Sequence, residues 1–319
     1  MHLPRFIQCI LMLMLSAWLG GVSGAQAAHA FTGPAFTGHA IAGHAIAGQV
    51  AADRSPTVAP TERTGTARSV AKTDRREPAG GNPGRILFIL ASSKVHGASA
   101  LPASISFGEV VHAWDTFHAA GYSVDFVSPD GGAVPILDAY VSKEVEPRLK
   151  DGRIMDGLRN TAKPAQVDPA RYRAVYYVGG SNAIYGVPEH PVLQNIAMHV
   201  YERNGGVVSA VCHGTAGIVN LKLSSGQALV AGKRITGFPE DHEDQGAAYF
   251  KEFPFLIRKT VEARGGSFHA LDGNQPYAEV DGRVVTGQNY ASAKPVAEAV
   301  VDVLRKLADR QPGSGAAKR

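Results

Sequence analysis

The stretch VVSAVCHGTAG, residues 207–217, runs from β-rich residues into a cysteine, a histidine and a glycine. A thiol followed by an imidazole is a pair suited to nucleophilic chemistry: sulfur attacks an electrophilic carbon, and the imidazole accepts and returns the thiol proton. GVVSAV ends at Cys212 and HGTAGIVNL begins as a helix does, so Cys212 falls at a strand-to-helix turn above a sheet edge. In that position the first amides of the helix aim at sulfur and favour thiolate over thiol. A sharp turn of this kind is the thiol counterpart of the serine nucleophile elbow. Taken alone, the pattern suits a small buried structural cysteine equally well.

The elements that must hold this turn are legible as alternating patterns. RILFIL (85–90), YSVDFVS (122–128), AVYYVGG (174–180), GVVSAV (206–211) and RVVTG (283–287) are short β-rich runs bounded by Gly, Pro or Ser. Between them lie helix-like segments, FGEVVHAWDTFHAAG (107–121), HPVLQNIAMHVYERNG (190–205) and SAKPVAEAVVDVLRKLAD (292–309). Near-continuous apolar strands alternating with amphipathic helices predict an α/β domain with a mainly parallel sheet covered on both faces. Ligands of such sheets gather at the carboxyl ends of the strands.

The chain has 319 residues, 45% of them hydrophobic, enough to bury a sizeable core. Its formal net charge of +4 is spread thinly, without a basic block or basic-aromatic interleaving, which argues against a nucleic-acid partner. At the N-terminus, Arg5 precedes an apolar run from Phe6 to Leu19, and Ala25-Gln26-Ala27 fits a cleavage site. The run is shorter than the roughly 20 residues of a spanning helix. Residues 1–27 are therefore expected to be a secretory signal, leaving a periplasmic or secreted protein with no membrane segment. Cys9 leaves with the signal and Cys212 remains as the sole cysteine. Residues 28–84, with repeats such as FTGHAIAGHAIAG and then Pro, Thr, Arg and Gly, are expected to form a disordered tether, in which His39 and His44 are accidental. A disordered tail is expected over 309–319.

SAVCHGTAG, taken with AGYSVDFVSPDGG (120–132), YYVGGSNAIYGVPEHP (176–191), ITGF (235–238) and DGRVVTGQNYASA (281–293), resembles the ThiJ/PfpI superfamily, which is class I glutamine amidotransferase-like. Within it the chain is most similar to the heat-shock-chaperone and glyoxalase III branch, over residues 85–308. The resemblance implies a flavodoxin-like three-layer α/β sandwich with a nucleophile-elbow cysteine, usually as a homodimer. Matched residue by residue, it implies Cys212 as nucleophile, His213 as its histidine and Glu109 as the glutamate touching the sulfur from the first helix. Glu243 matches the acid that orients the histidine, with Asp241 and Asp244 as alternatives. Gly179, Gly180 and Gly214 are expected to line the oxyanion and substrate pocket. Where members of the branch often carry Gly-His after the YVGG strand, this chain has Ser181-Asn182.

Glu109 beside a sulfur is expected to have a raised carboxyl pKa. His112, His118, His199 and His269 are expected to have no ligand role. The leading functional expectation is a glyoxalase III-type lyase (D-lactate dehydratase) taking small reactive aldehydes, methylglyoxal to lactate, without glutathione, organic cofactor or metal. A cysteine amidase or peptidase, and a holdase chaperone or oxidative-stress protein of the same fold, are the other readings. They are separated by whether activity needs Cys212, because fold alone does not fix substrate.

Overall fold

The structure, a computed structural model, describes residues 84–310. The strands are β1 (Arg85–Ile89), β2 (Ser123–Val127), β3 (Tyr172–Tyr177), β4 (Val207–Val211), β5 (Arg234–Ile235), β6 (Ser267–Phe268), β7 (Ala278–Asp281) and β8 (Val284–Gly287). The helices are α1 (Phe107–Ala119), α2 (Gly152–Arg159), α3 (Pro191–Met198), α4 (Ile257–Ala263) and α5 (Ala293–Asp309). Six strands form one sheet in the order β2-β1-β3-β4-β8-β7. All neighbours are parallel except β7, which pairs antiparallel with β8 across the two-residue turn Gly282-Arg283. A link that short cannot make the crossover a parallel pair requires, and Gly282, at φ +62°, supplies the left-handed position of the turn. β5 and β6 form a separate parallel pair.

Alternate residues of the central strands feed two cores. Ile86, Phe88 and Tyr176 pack with Val110 and Phe117 of α1 and Val296 and Val300 of α5. Leu87, Ile89 and Tyr177 pack with Leu193 and Ile196 of α3 and Val261 of α4. This is the expected three-layer α/β arrangement, and it explains why the strands read as unbroken apolar runs.

Two expected helices differ in detail. The segment 190–205 begins at Pro191, with His190 Nδ1 accepting the Leu193 N–H at 3.4 Å, and after Met198 widens into a π-turn over His199–Arg203. The segment after Cys212 is a tight 3₁₀ turn, Cys212–Ile218, rather than an α-helix, because Gly214 and Gly217 press their backbone against Tyr177 where any β-carbon would collide. The domain runs to Asp309, past its expected end at 308. The expected signal and tether, apart from Gly84, and residues 311–319 lie outside the described residues. Among the described residues no helix is long and apolar enough to cross a membrane.

Candidate active site

β4 ends directly at Cys212, so the carboxyl edge of the sheet delivers the thiol. Cys212 has φ +55° and is the only non-glycine with positive φ among the described residues. Holding a β-carbon residue there costs of order 1–3 kcal/mol, so the surrounding fold must over-determine it. The neighbours show how: the Phe238 N–H donates to the Cys212 carbonyl at 3.2 Å, and the 3₁₀ turn is wedged against β3.

The side chain of Cys212 is 7% exposed, and its Sγ lies 3.5 Å from His213 Nδ1. His213 Nε2 meets Glu243 Oε1 at 2.5 Å, and the Tyr249 hydroxyl donates to Glu243 Oε2 at 3.0 Å. The imidazole is also stacked on Phe238, with ring centroids 4.7 Å apart. Asp241 instead pairs with Arg258 at 3.0 Å, and Asp244 accepts the Gly246 N–H, so Glu243 alone of the three faces the histidine. From the other side α1 presents Glu109, 1% exposed, whose carboxyl hydrogen-bonds Cys212 while Oε2 accepts the Gly179 N–H at 2.8 Å. The four side chains named from the sequence thus surround one cavity of about 460 Å³.

Burial pushes the Glu109 carboxyl up to about 8, against the opposing pull of the Gly179 N–H and Cys212. The same burial, reinforced by the Glu109 charge, pushes the Cys212 thiol up, and the His213 N–H only partly opposes it. The expected bias toward thiolate is therefore corrected. A single backbone amide reaches the sulfur, and it does not outweigh desolvation beside an acid. The resting pair near neutrality is a thiol beside a carboxylic acid.

The glycine expectations hold unevenly. Gly180, at φ +114°, lines the cavity. Gly179 spends its N–H on Glu109, leaving no donor for an oxyanion, and its bare α-carbon lets the Glu109 carboxyl and Cys212 approach. Gly214 packs against the end of β3 outside the cavity lining. Ser181 lines the cavity and its Oγ accepts the Ser104 N–H, whereas buried Asn182 turns away to donate to the Ser93 carbonyl.

Two further imidazoles, not anticipated from the sequence, line the same cavity, His96 and His242. His96 is 2% exposed, tilted against Tyr249 with ring centroids 5.3 Å apart, and 3.4 Å from the Tyr185 hydroxyl. Burial first, and then the nearby His213, lower its pKa. It lies in the loop after β1, where no sequence periodicity marks it. His112 contacts the Tyr290 hydroxyl, His118 stacks on Trp114 and His269 contacts Ser267, all outside the cavity lining.

A mainly parallel sheet covered on both faces, with a strained cysteine turn at the end of β4, defines the class as an α/β domain built around a cysteine elbow. The chain belongs to the DJ-1/PfpI family, whose sequence pattern matches residues 104–302. It is 33% identical over 205 residues to glyoxalase 3 of Candida albicans, covering 60% of this chain and 86% of that protein. It is 30% identical over 239 residues to the glutathione-independent glyoxalase HSP31 of Saccharomyces cerevisiae, covering 70% and 99%. Among solved structures it is similar to glyoxalase III from Candida albicans, with a TM-score of 0.62 and 29% identity over 70% of this chain and 98% of that one.

Proposed function

We propose that the chain is a cysteine-dependent, glutathione-independent glyoxalase converting a small 2-oxoaldehyde, such as methylglyoxal, to its 2-hydroxy acid. The observation that carries this reading is the buried Glu109 carboxyl lodged against the Cys212 sulfur with its pKa near 8. A peptidase needs a histidine that protonates a leaving amine. An oxoaldehyde needs, in addition, a base beside the carbon that sulfur attacks, and the contact of the Glu109 carboxyl with that sulfur supports this role. The relatives named as glyoxalases and the small cavity support the same choice.

The steps follow from the geometry. His213 Nδ1 takes the thiol proton, and the imidazolium faces the Glu243 carboxylate. Sγ bonds to the aldehyde carbon, and the carbonyl oxygen takes that proton to give a hemithioacetal. Glu109, as carboxylate, removes the hydrogen from the former aldehyde carbon and delivers it to the adjacent carbon through an enediol, while the hydroxyl proton passes from the first oxygen to the second. The first carbon is thereby oxidised to a thioester and the second reduced to a carbinol, so no external redox partner is needed. Water cleaves the carbon–sulfur bond, releasing the hydroxy acid and restoring the thiol. His96 and Tyr249, packed against each other, form part of the cavity wall around these proton transfers. A panel of methylglyoxal, glyoxal and peptide amides offered to the purified chain tests the reading: acid formation from the oxoaldehydes supports it, and turnover of amides alone overturns it. The apolar run and Ala25-Gln26-Ala27 support export of this enzyme.

A further inference from the structure

The loop between β1 and α1 is pinned by hydrogen bonds at both ends and within. Asn182 Nδ2 donates to the Ser93 carbonyl at 2.9 Å near its start, and the Ser104 N–H donates to Ser181 Oγ at 3.2 Å near its end. Between these ties Val95 bridges to Pro102, and the His96 N–H donates to the Leu101 carbonyl at 2.9 Å. The His96 carbonyl accepts the Ser99 N–H and hydroxyl. His96 is thereby delivered to the Cys212 cavity with its ring packed among Tyr185, Tyr249 and Phe253. His213 also meets Phe253, with ring centroids 5.9 Å apart, so the two imidazoles flank the same ring.

The chemistry of the His96 ring follows from its surroundings. Nδ1 lies 3.4 Å from the Tyr185 hydroxyl, whereas Nε2 has no hydrogen-bond partner among the described residues and is not sealed from solvent. The residue is 2% exposed, so the space open to Nε2 is the cavity that His96 lines. Burial lowers its pKa and keeps the ring neutral near neutrality, while Glu243 and Glu252 favour an imidazolium formed there in passing. With the ring proton on Nδ1, toward the Tyr185 oxygen, Nε2 is a bare acceptor. Neighbouring proton carriers are committed. His213 spans Cys212 and Glu243 through its two nitrogens, and the Tyr249 hydroxyl donates to Glu243. His242 is more exposed than His96, and a proton taken there exchanges with solvent.

We propose that His96 is a further catalytic residue of the Cys212 site, its Nε2 carrying the hydroxyl proton from the first substrate oxygen to the second, an assignment that rests on the glyoxalase reading. When Glu109 removes the hydrogen of the first carbon, negative charge gathers on the oxygen of the second. Nε2 takes the hydroxyl proton from the first oxygen, and the imidazolium releases it to the second. The first oxygen then forms the thioester carbonyl as Glu109 returns its proton to the second carbon. Two protons thus have two carriers, and His96 ends neutral with no external oxidant or reductant. Lactate formation from methylglyoxal by the full chain, in wild type, His96→Phe and His96→Ala, with and without added imidazole, tests it. His96→Phe keeps an aromatic ring against Tyr249 and Phe253, and should lower kcat by about 10²-fold or more while thiol alkylation and Tm stay near wild type. His96→Ala should be equally slow and should regain about tenfold or more with imidazole, saturably, whereas Glu109→Gln should not respond. If His96→Phe folds poorly, the imidazole response of His96→Ala decides, because a purely structural role would give none. Wild-type kcat in His96→Phe, or slow variants that imidazole does not restore, overturns the proposal and leaves the glyoxalase reading standing. Absence of lactate from wild type removes that reading and the proposal together.

Discussion

Replacing Glu109 by Gln keeps the shape of the side chain and removes its titration, which converts one buried proton into a measurable slope. In the folded protein the carboxyl holds its proton up to about 8, whereas in the unfolded chain it releases it near the ordinary 4.5. Between those values the folded state binds more protons, so unfolding free energy falls as pH rises. The penalty is absent below the unfolded value and complete above the folded one. At about 1.4 kcal/mol for each tenfold change in proton concentration, the interval corresponds to about 5 kcal/mol. Cys212, pushed above its ordinary value of 9.0, adds nothing below that pH. Urea unfolding of wild type and Glu109→Gln from about pH 5 to about pH 8 reads this directly. The stability of wild type minus that of the variant should fall by several kcal/mol across the range. A difference that stays flat would mean the carboxyl is already ionised in the fold, and the proton-holding pair described here would be wrong.

Because Glu109 must be ionised to act as a base, kcat/KM for methylglyoxal should rise with pH to a limb near 8, an apparent value belonging to the Glu109 and Cys212 pair; a flat profile between about pH 6 and 9 refutes it. Glu243→Gln should lower kcat by about 10²-fold or more with a smaller change in KM, since it weakens the partner of an imidazolium that forms only during the reaction; steady-state kinetics showing the reverse split would count against that role. A chain beginning at Asn82 should keep wild-type kcat and nearly all its Tm, because every residue of the cavity lies beyond it; loss of folding would show that earlier residues contribute. Mass analysis of the exported protein should find an N-terminus near Ala28, and an intact Met1 in that fraction would remove the export proposal.

The strands around the site were legible because β1, β3, β4 and β8 are buried on both faces and their apolar runs stand out against Gly, Pro and Ser boundaries. β7 was missed, since its alternation AEVD is short and the antiparallel pairing depends on a two-residue turn rather than on a long apolar run. The 3₁₀ character of Cys212–Ile218 was hidden for a different reason. Local residue preferences allow an α-helix there, and the tight turn comes from glycine packing on Tyr177, a contact between residues far apart in the chain. Cys212, His213, Glu109 and Glu243 were found through motif blocks, which also fixed their order along the chain. His96, by contrast, sits in a loop without periodicity, so only the fold could bring it against Tyr249 and beside His213. The charge balance of the pair was misread for the same reason: sequence shows a strand-to-helix turn but not how little water reaches it.

The central claim is that Cys212 and Glu109 together carry out an internal redox rearrangement of an oxoaldehyde. The most direct test follows methylglyoxal consumption and lactate formation by the purified chain without glutathione, in wild type, Cys212→Ala and Glu109→Gln, with thiol alkylation measured alongside. Wild type should form one lactate for each methylglyoxal consumed, and Cys212→Ala none above background. Glu109→Gln should lose lactate formation while its thiol still alkylates. Lactate formed at the wild-type rate by either variant, or none formed by wild type, would contradict the account.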